Sequence, residues 1–257
     1  MVAHDRIRLI VWEVFFSVSS PFILCRFIVP LHLTSIFDDR PNRVPSQVNP
    51  YKEFLVQHRT DPSLSLMYGE ELRGRRGLWK DFFSTEPQRL FLEIGCHKGL
   101  TLRALGQDHP GDGFLGLDRT FKRVVLTAQR SKELPNVGTI YGDGRFFGEL
   151  FCPGELDGVV LFFPDPWNKK ISQKHNRLVN LEFVQTLRSV LKPGIGFFWF
   201  KTDDQNYFEE TSVFLDQCGF VKSPSILPFG RDYCSTFENR FLRQKVPYFT
   251  GVWSVVS

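Results

Sequence analysis

The chain has no CxxC pair, and its five cysteines, Cys25, Cys96, Cys152, Cys218 and Cys234, are odd in number and scattered. That argues against a disulfide framework and against a zinc site, and for free thiols in a reducing, cytoplasmic compartment. It has no clean apolar run of the roughly 20 residues that a membrane-spanning helix needs. The stretch from Leu9 to Cys25 is short and carries Glu13 and Pro21 inside it, so stable membrane insertion is not expected. Arg6 and Arg8 precede that stretch as in a signal peptide, but no small-residue cleavage site follows it. Internal repeats and low-complexity tracts are missing too. Charge of one sign is scarce: a net charge of +4 permits an anionic partner, and a solvated surface fits equally well.

What is present suits a soluble α/β protein. At 257 residues the chain holds one large domain or two small ones, and 42% hydrophobic with 23% charged residues is ordinary composition. The 27 phenylalanines imply an aromatic-rich core. Residues 1–50 read as an apolar extension that ends in the polar, proline-bearing linker "DDRPNRVPSQVNP". Three readings are open for it: a membrane-associated tail, an arm packed on the domain, or translated sequence upstream of the true start. The last two are favoured. Residues 51–257 read as the functional domain.

Beyond residue 85 strands and helices alternate. The runs 89–95, 113–118, 137–143, 156–163 and 196–203 read as strands, and 100–107, 120–134, 178–192 and 205–219 as helices. Such alternation predicts parallel strands joined by crossover helices, a doubly wound sheet. Ligands bind such sheets where the strands end. There the sequence places Glu93, Asp118, Asp143, Asp165 and Asp203. One acid at a strand end is usually a turn or helix-cap residue. Five in succession are a signal.

"EIGCHKG", residues 93–99, makes a glycine-bearing turn in which Gly95 lets backbone approach a ligand. Asp118, 25 residues beyond Glu93, falls where an acid accepts both hydroxyls of an adenine-linked ribose. Asp143, in "YGDG", is placed to receive the adenine amino group. GxGxxG is absent and the loop is acidic, which suits a cationic ligand better than a pyrophosphate. S-Adenosylmethionine carries an ammonium and a sulfonium. A methyltransferase is therefore favoured over a dehydrogenase or another nucleotide binder.

The stretch "FFPDPWNKK", following "EIG", "GLD" and "GDG" and preceding "KTDD" and "STFENR", resembles the tRNA (guanine-N7)-methyltransferases over about residues 88–253. The resemblance implies a Rossmann-like class I fold with a mostly parallel seven-stranded sheet and helices on both faces. It implies transfer of a methyl group from S-adenosylmethionine, without a metal, to N7 of a guanine, typically in the tRNA variable loop. DNA is not an expected partner, and the oligomeric state is open. By the same resemblance Glu93, Gly95, Asp118, Asp143 and Asp165 hold the cofactor. Lys169, Asp203, Ser235, Thr236, Phe237 and Glu238 meet the substrate, and Asp165 is catalytic. Because N7 already exposes a lone pair, Asp165 is expected to orient the base and offset growing charge rather than to abstract a proton. Trp167 stacks on the base or closes the core, the latter being the commoner role of a lone indole. Lys169, Lys170, Lys174, His175 and Arg177 are expected to meet phosphates, with "LRGRRGLWK" (72–80) a second, weaker basic patch.

The chain departs from the family pattern at His97, where glycine is usual, and at Ile171 within the basic run, which carries one extra residue. It departs again at Asp204, usually aromatic, and at Ser235, usually threonine. If the turn needs positive φ at His97, a side chain there costs roughly 1–2 kcal/mol. A methyltransferase of another RNA, a small molecule or a protein stays open as an alternative, as does a non-catalytic RNA-binding module.

Overall fold

A computed structural model describes residues 64–223 and 228–256; the expected 1–50 extension lies outside them. The strands are β1 (Leu66–Met67), β2 (Leu90–Ile94), β3 (Gly113–Asp118), β4 (Val137–Tyr141), β5 (Gly158–Phe162), β6 (Phe197–Thr202), β7 (Phe220–Lys222) and β8 (Phe249–Val255). They form one sheet in the order β1-β4-β3-β2-β5-β6-β8-β7. β1 to β6 pair in parallel, while β8 runs antiparallel to both β6 and β7. Among the described residues five α-helices, α1 (Leu100–Asp108), α2 (Phe121–Ser131), α3 (Leu181–Val190), α4 (Gln205–Gln217) and α5 (Thr236–Gln244), accompany the sheet.

The sheet has eight strands where seven were expected. The added one, β1, is two residues long and extends the edge beyond β4. A strand that short leaves no periodicity in sequence. The five expected parallel strands are present, four of them with trimmed ends, and the chain order reverses between β2 and β5, the switch point of a doubly wound sheet.

Both faces of the sheet are covered, so the central strands read as continuous apolar runs. On β6 the alternation sorts Phe198 and Phe200 into one core, with Trp79, Phe147, Phe151 and Trp253. Trp199 enters the other, with Phe91, Phe114, Phe162 and Phe229. Phe229 anchors that second face, meeting Phe91 edge-on at 5.0 Å between centroids and Phe197 at 5.7 Å.

The segment 72–80 is anchored to the first core through Trp79 and its backbone, while Arg75, Arg76 and Lys80 keep surface exposure. Trp79 is fully buried and donates from Nε1 to the Leu150 carbonyl at 2.7 Å. Glu155 accepts from the N–H groups of Gly77, Trp79 and Cys152, pinning the strap down. No helix among the described residues is long and apolar enough to cross a membrane.

Candidate active site

A cleft of about 430 Å³ opens at the carboxyl ends of the central strands. Its walls come from the β2–α1 turn, the ends of β3 and β5, the loop after β4, the 175–180 segment ahead of α3, and the first turn of α5. Gly95, His97, Asp118, Asp143, Asp165, Trp167 and Phe237 all line it, so the structure gathers residues spread over more than half of the sequence.

The β2–α1 turn is built on left-handed backbone. Gly95, His97 and Gly99 have φ of 76°, 51° and 69°. His97 therefore adopts the conformation that costs a side chain, and neighbours hold it there. Its N–H donates to Asp118 Oδ2 at 3.1 Å, and its carbonyl accepts from the Thr127 hydroxyl at 3.1 Å. The imidazole packs against Phe237 at 5.2 Å between centroids, with Nδ1 buried and unpartnered. Burial, then the nearby Arg123 cation, lowers its pKa below the ordinary imidazole value.

The acids are not equivalent. Glu93 is buried and stands behind the turn, outside the cleft lining. It is bonded to Thr101 and to the Leu102 backbone in the first turn of α1, whose N-cap, Gly99, has no side chain to offer. Burial, reinforced by Asp118, pushes its pKa up to about 8, and Oε2 has no partner. Asp118 is also buried, but borders the cleft; Oδ1 accepts from the Thr120 N–H at 2.8 Å. Asp143 caps the short helix after β4 and forms a bidentate pair with Arg145. Burial alone would raise its pKa, but the bonds from Arg145 outweigh it and hold the carboxyl below its ordinary value. Asp165 is exposed in the cleft, without a hydrogen-bond or ion-pair partner among the described residues.

The turn that carries Asp165 is sharply bent. Phe163 and Trp167, bracketing Pro164-Asp165-Pro166, have φ of 52° and 47°. Trp167 is half-buried at the cleft, not in the core; the core indoles are Trp79, Trp199 and Trp253. The expectation of core packing fails because the bend turns residue 167 away from the β5 direction. Lys169 and Lys170 are exposed beyond it, as are Lys174 and His175. Arg177 is not: it borders the cleft but is only 4% exposed, and its guanidinium is engaged by the Pro166 carbonyl, Asp204 and Glu210.

Of the residues assigned to substrate, Phe237 lines the cleft and Thr236 is half-buried beside it. Ser235 and Glu238 form a capping box at the start of α5. Glu238 is completely buried and accepts from Lys201 Nζ at 2.9 Å and from the Tyr248 hydroxyl at 2.7 Å. Its oxygens are occupied, so it supports Phe237 rather than reaching a ligand. Asp203 is exposed and outside the cleft lining. Its neighbour Asp204, a departure from the family pattern, caps α4 at the Tyr207 N–H and accepts from Asn168 of the bent turn at 2.7 Å. Sequence reasoning missed Asn168, Lys201 and the inward role of Arg177. For Lys201 a signal existed, since strand alternation puts it on the face of Phe197 and Trp199.

The cleft fits S-adenosylmethionine. A Cβ built on Gly95 would meet nothing within 4 Å, so open space lies against the turn where a ligand can approach the backbone. Acids at Asp118, Asp143 and Asp165 suit hydroxyl, amine and sulfonium groups.

A parallel sheet of this order, closed by an antiparallel pair and with acids around a strand-end cleft, defines a class I methyltransferase. Residues 87–246 match the family described as putative methyltransferase. A tRNA (guanine-N(7)-)-methyltransferase of Lacticaseibacillus casei is 32% identical over 172 residues, 66% of this chain and 76% of its own. One from Limosilactobacillus fermentum is 34% identical over 148 residues, 57% and 67% of the two chains. The chain belongs to the tRNA (guanine-N7)-methyltransferase family. A solved structure of an antibiotic-related methyltransferase superposes more loosely, with TM-score 0.48 and 17% identity over 66% of this chain and 89% of that one.

Proposed function

We propose that this protein methylates N7 of a guanine in tRNA with S-adenosylmethionine as donor, in a cytoplasmic setting. The observation that carries the reading is the carboxylate of Asp165, without a partner among the described residues, in a cleft whose other acids are tied to backbone or to arginine. The names of the relatives supply the substrate class.

Bound in the cleft, S-adenosylmethionine would supply an electrophilic methyl group on a sulfonium. Asp118 is placed to accept from the ribose hydroxyls, with Gly95 giving close backbone approach and Asp143 reaching the adenine side; Glu93 shapes the turn from behind. Asp165 faces the base, orients it, and offsets the charge that grows on the purine during transfer. Trp167 and Phe237 offer flat surfaces on which a purine stacks. Lys169 and Lys170 lie beyond the turn and meet phosphates. No residue needs to remove a proton, because N7 carries none.

The test is methyl transfer to a tRNA transcript, read by nucleoside mass spectrometry. 7-Methylguanosine should appear at one position and vanish when that guanine is replaced by 7-deazaguanine. Methylation that survives the replacement, or none on any tRNA, would defeat the reading.

A further inference from the structure

Arg177 was expected among the phosphate contacts, and the structure buries it under the turn that carries Asp165. Nε donates to the Pro166 carbonyl at 2.8 Å. The remaining guanidinium nitrogens pair with Glu210 and, at 3.4 Å, with Asp204, both on or capping α4. The plane lies 4.5 Å from the centroid of Tyr207, itself fully buried. Asp204 holds the same turn a second time, accepting from Asn168 Nδ2 at 2.7 Å. The turn needs such ties: left-handed backbone at two non-glycine residues, Phe163 and Trp167, persists only when its surroundings over-determine it. The β6 carbonyl of Lys201 fixes its first end, accepting from the Phe163 N–H at 2.8 Å. Its second end hangs on Arg177 and Asn168.

We propose that Arg177 is a positioning residue that, with the Asn168–Asp204 bond, locks the second half of the turn onto α4 and so sets where Asp165 and Trp167 stand in the cleft. Although Arg177 borders the cleft, its guanidinium is taken up by Pro166, Asp204 and Glu210, so its role is to hold the turn rather than to bind RNA phosphate. The inference rests on the methyltransferase reading for its kinetic consequence, but not for its structural one.

Arg177→Lys keeps the charge toward Glu210 and removes the fork that spans Pro166 and α4. Single-turnover transfer with cofactor and tRNA saturating should fall roughly ten- to a hundredfold, the scale of a misplacement of about 1 Å. Cofactor affinity should stay within about threefold, and the salt dependence of RNA binding should not change, since no phosphate contact is lost. Asn168→Ala should lower the rate in the same sense without removing a buried charge. It serves alone if the lysine variant does not fold. The turn itself is read by labelling the full chain with 5-fluorotryptophan and assigning Trp167 through Trp167→Phe. Its fluorine resonance should shift or broaden in both variants. An unmoved resonance with an unchanged rate overturns the proposal. So does a shallower salt dependence at an unchanged rate, which would make Arg177 a phosphate contact. If the wild-type chain methylates no guanine, the functional reading fails while the fluorine measurement still decides the position of the turn.

Discussion

Three acids at neighbouring strand ends have become three different groups. Asp118 and Asp143 hold backbone N–H groups, while Asp165 has no partner among the described residues and is exposed in the cleft. Asp165→Asn keeps the shape and removes the charge. With cofactor saturating, methyl transfer should then fall by roughly a hundredfold or more, the scale of removing one preorganised electrostatic contact. A wild-type rate in that variant would reduce the turn to a structural corner. Glu93 differs again, because it is buried and its carboxyl is raised from 4.5 to about 8. The folded state therefore holds a proton that the unfolded state has lost across that window. Stability contributed by the protonated form is fully present below about pH 4.5 and declines as pH rises toward 8, by up to about 1.4 kcal/mol per unit. Glu93→Gln should remove this decline, leaving a flatter profile of unfolding free energy between pH 5 and 8. Parallel profiles for the two proteins would show that Glu93 ionises normally.

At the scale of elements, the parallel strands were legible because they are buried on both faces and read as unbroken apolar runs, β3 being found to the residue. Helix ends were less legible: α3 begins at Leu181, three residues later than its apolar pattern, because Asn180 caps it at the Phe183 N–H. A basic run looks uniform in sequence, and only the packing of α4 separates Arg177 from its exposed neighbours. The Ser-x-x-Glu spacing at 235–238 is also a helix-start signature, and the structure uses it as a capping box while Phe237 within it lines the cleft. The start of α5 hangs on the pair between Lys201 and Glu238, both fully buried, with Asp232 completing the site at 2.6 Å. Removing one partner of such a pair leaves a charge uncompensated. Lys201→Met should destabilise the fold by about 3–5 kcal/mol in denaturant titrations, and adding Glu238→Leu should recover most of the loss. A single variant within about 0.5 kcal/mol of the parent would mean that water reaches the pair.

At the scale of the molecule, the cleft belongs to no single element. Its walls join the β2–α1 turn, further strand ends and loops, the 175–180 segment and the start of α5, which are distant in sequence and brought together by one sheet. A ligand that bridges them binds only the assembled fold, so its free energy adds to the stability of the whole sheet. At a hundred times its dissociation constant, S-adenosylmethionine should stabilise the protein by about 2.7 kcal/mol. For a domain of this size that raises the melting temperature by about 5–10 °C, in one cooperative step. Asp118→Ala removes an acceptor worth about 1.5–3 kcal/mol in charge-assisted bonds, so at the same cofactor concentration the shift should shrink to less than half. The variant also loses the bonds to His97 and Thr120 and should melt lower without ligand. The comparison is therefore the shift of each protein against its own empty form, measured by scanning calorimetry. An undiminished shift would take Asp118 out of the cofactor seat, and a shift absent from the parent itself would mean that the cleft does not hold S-adenosylmethionine.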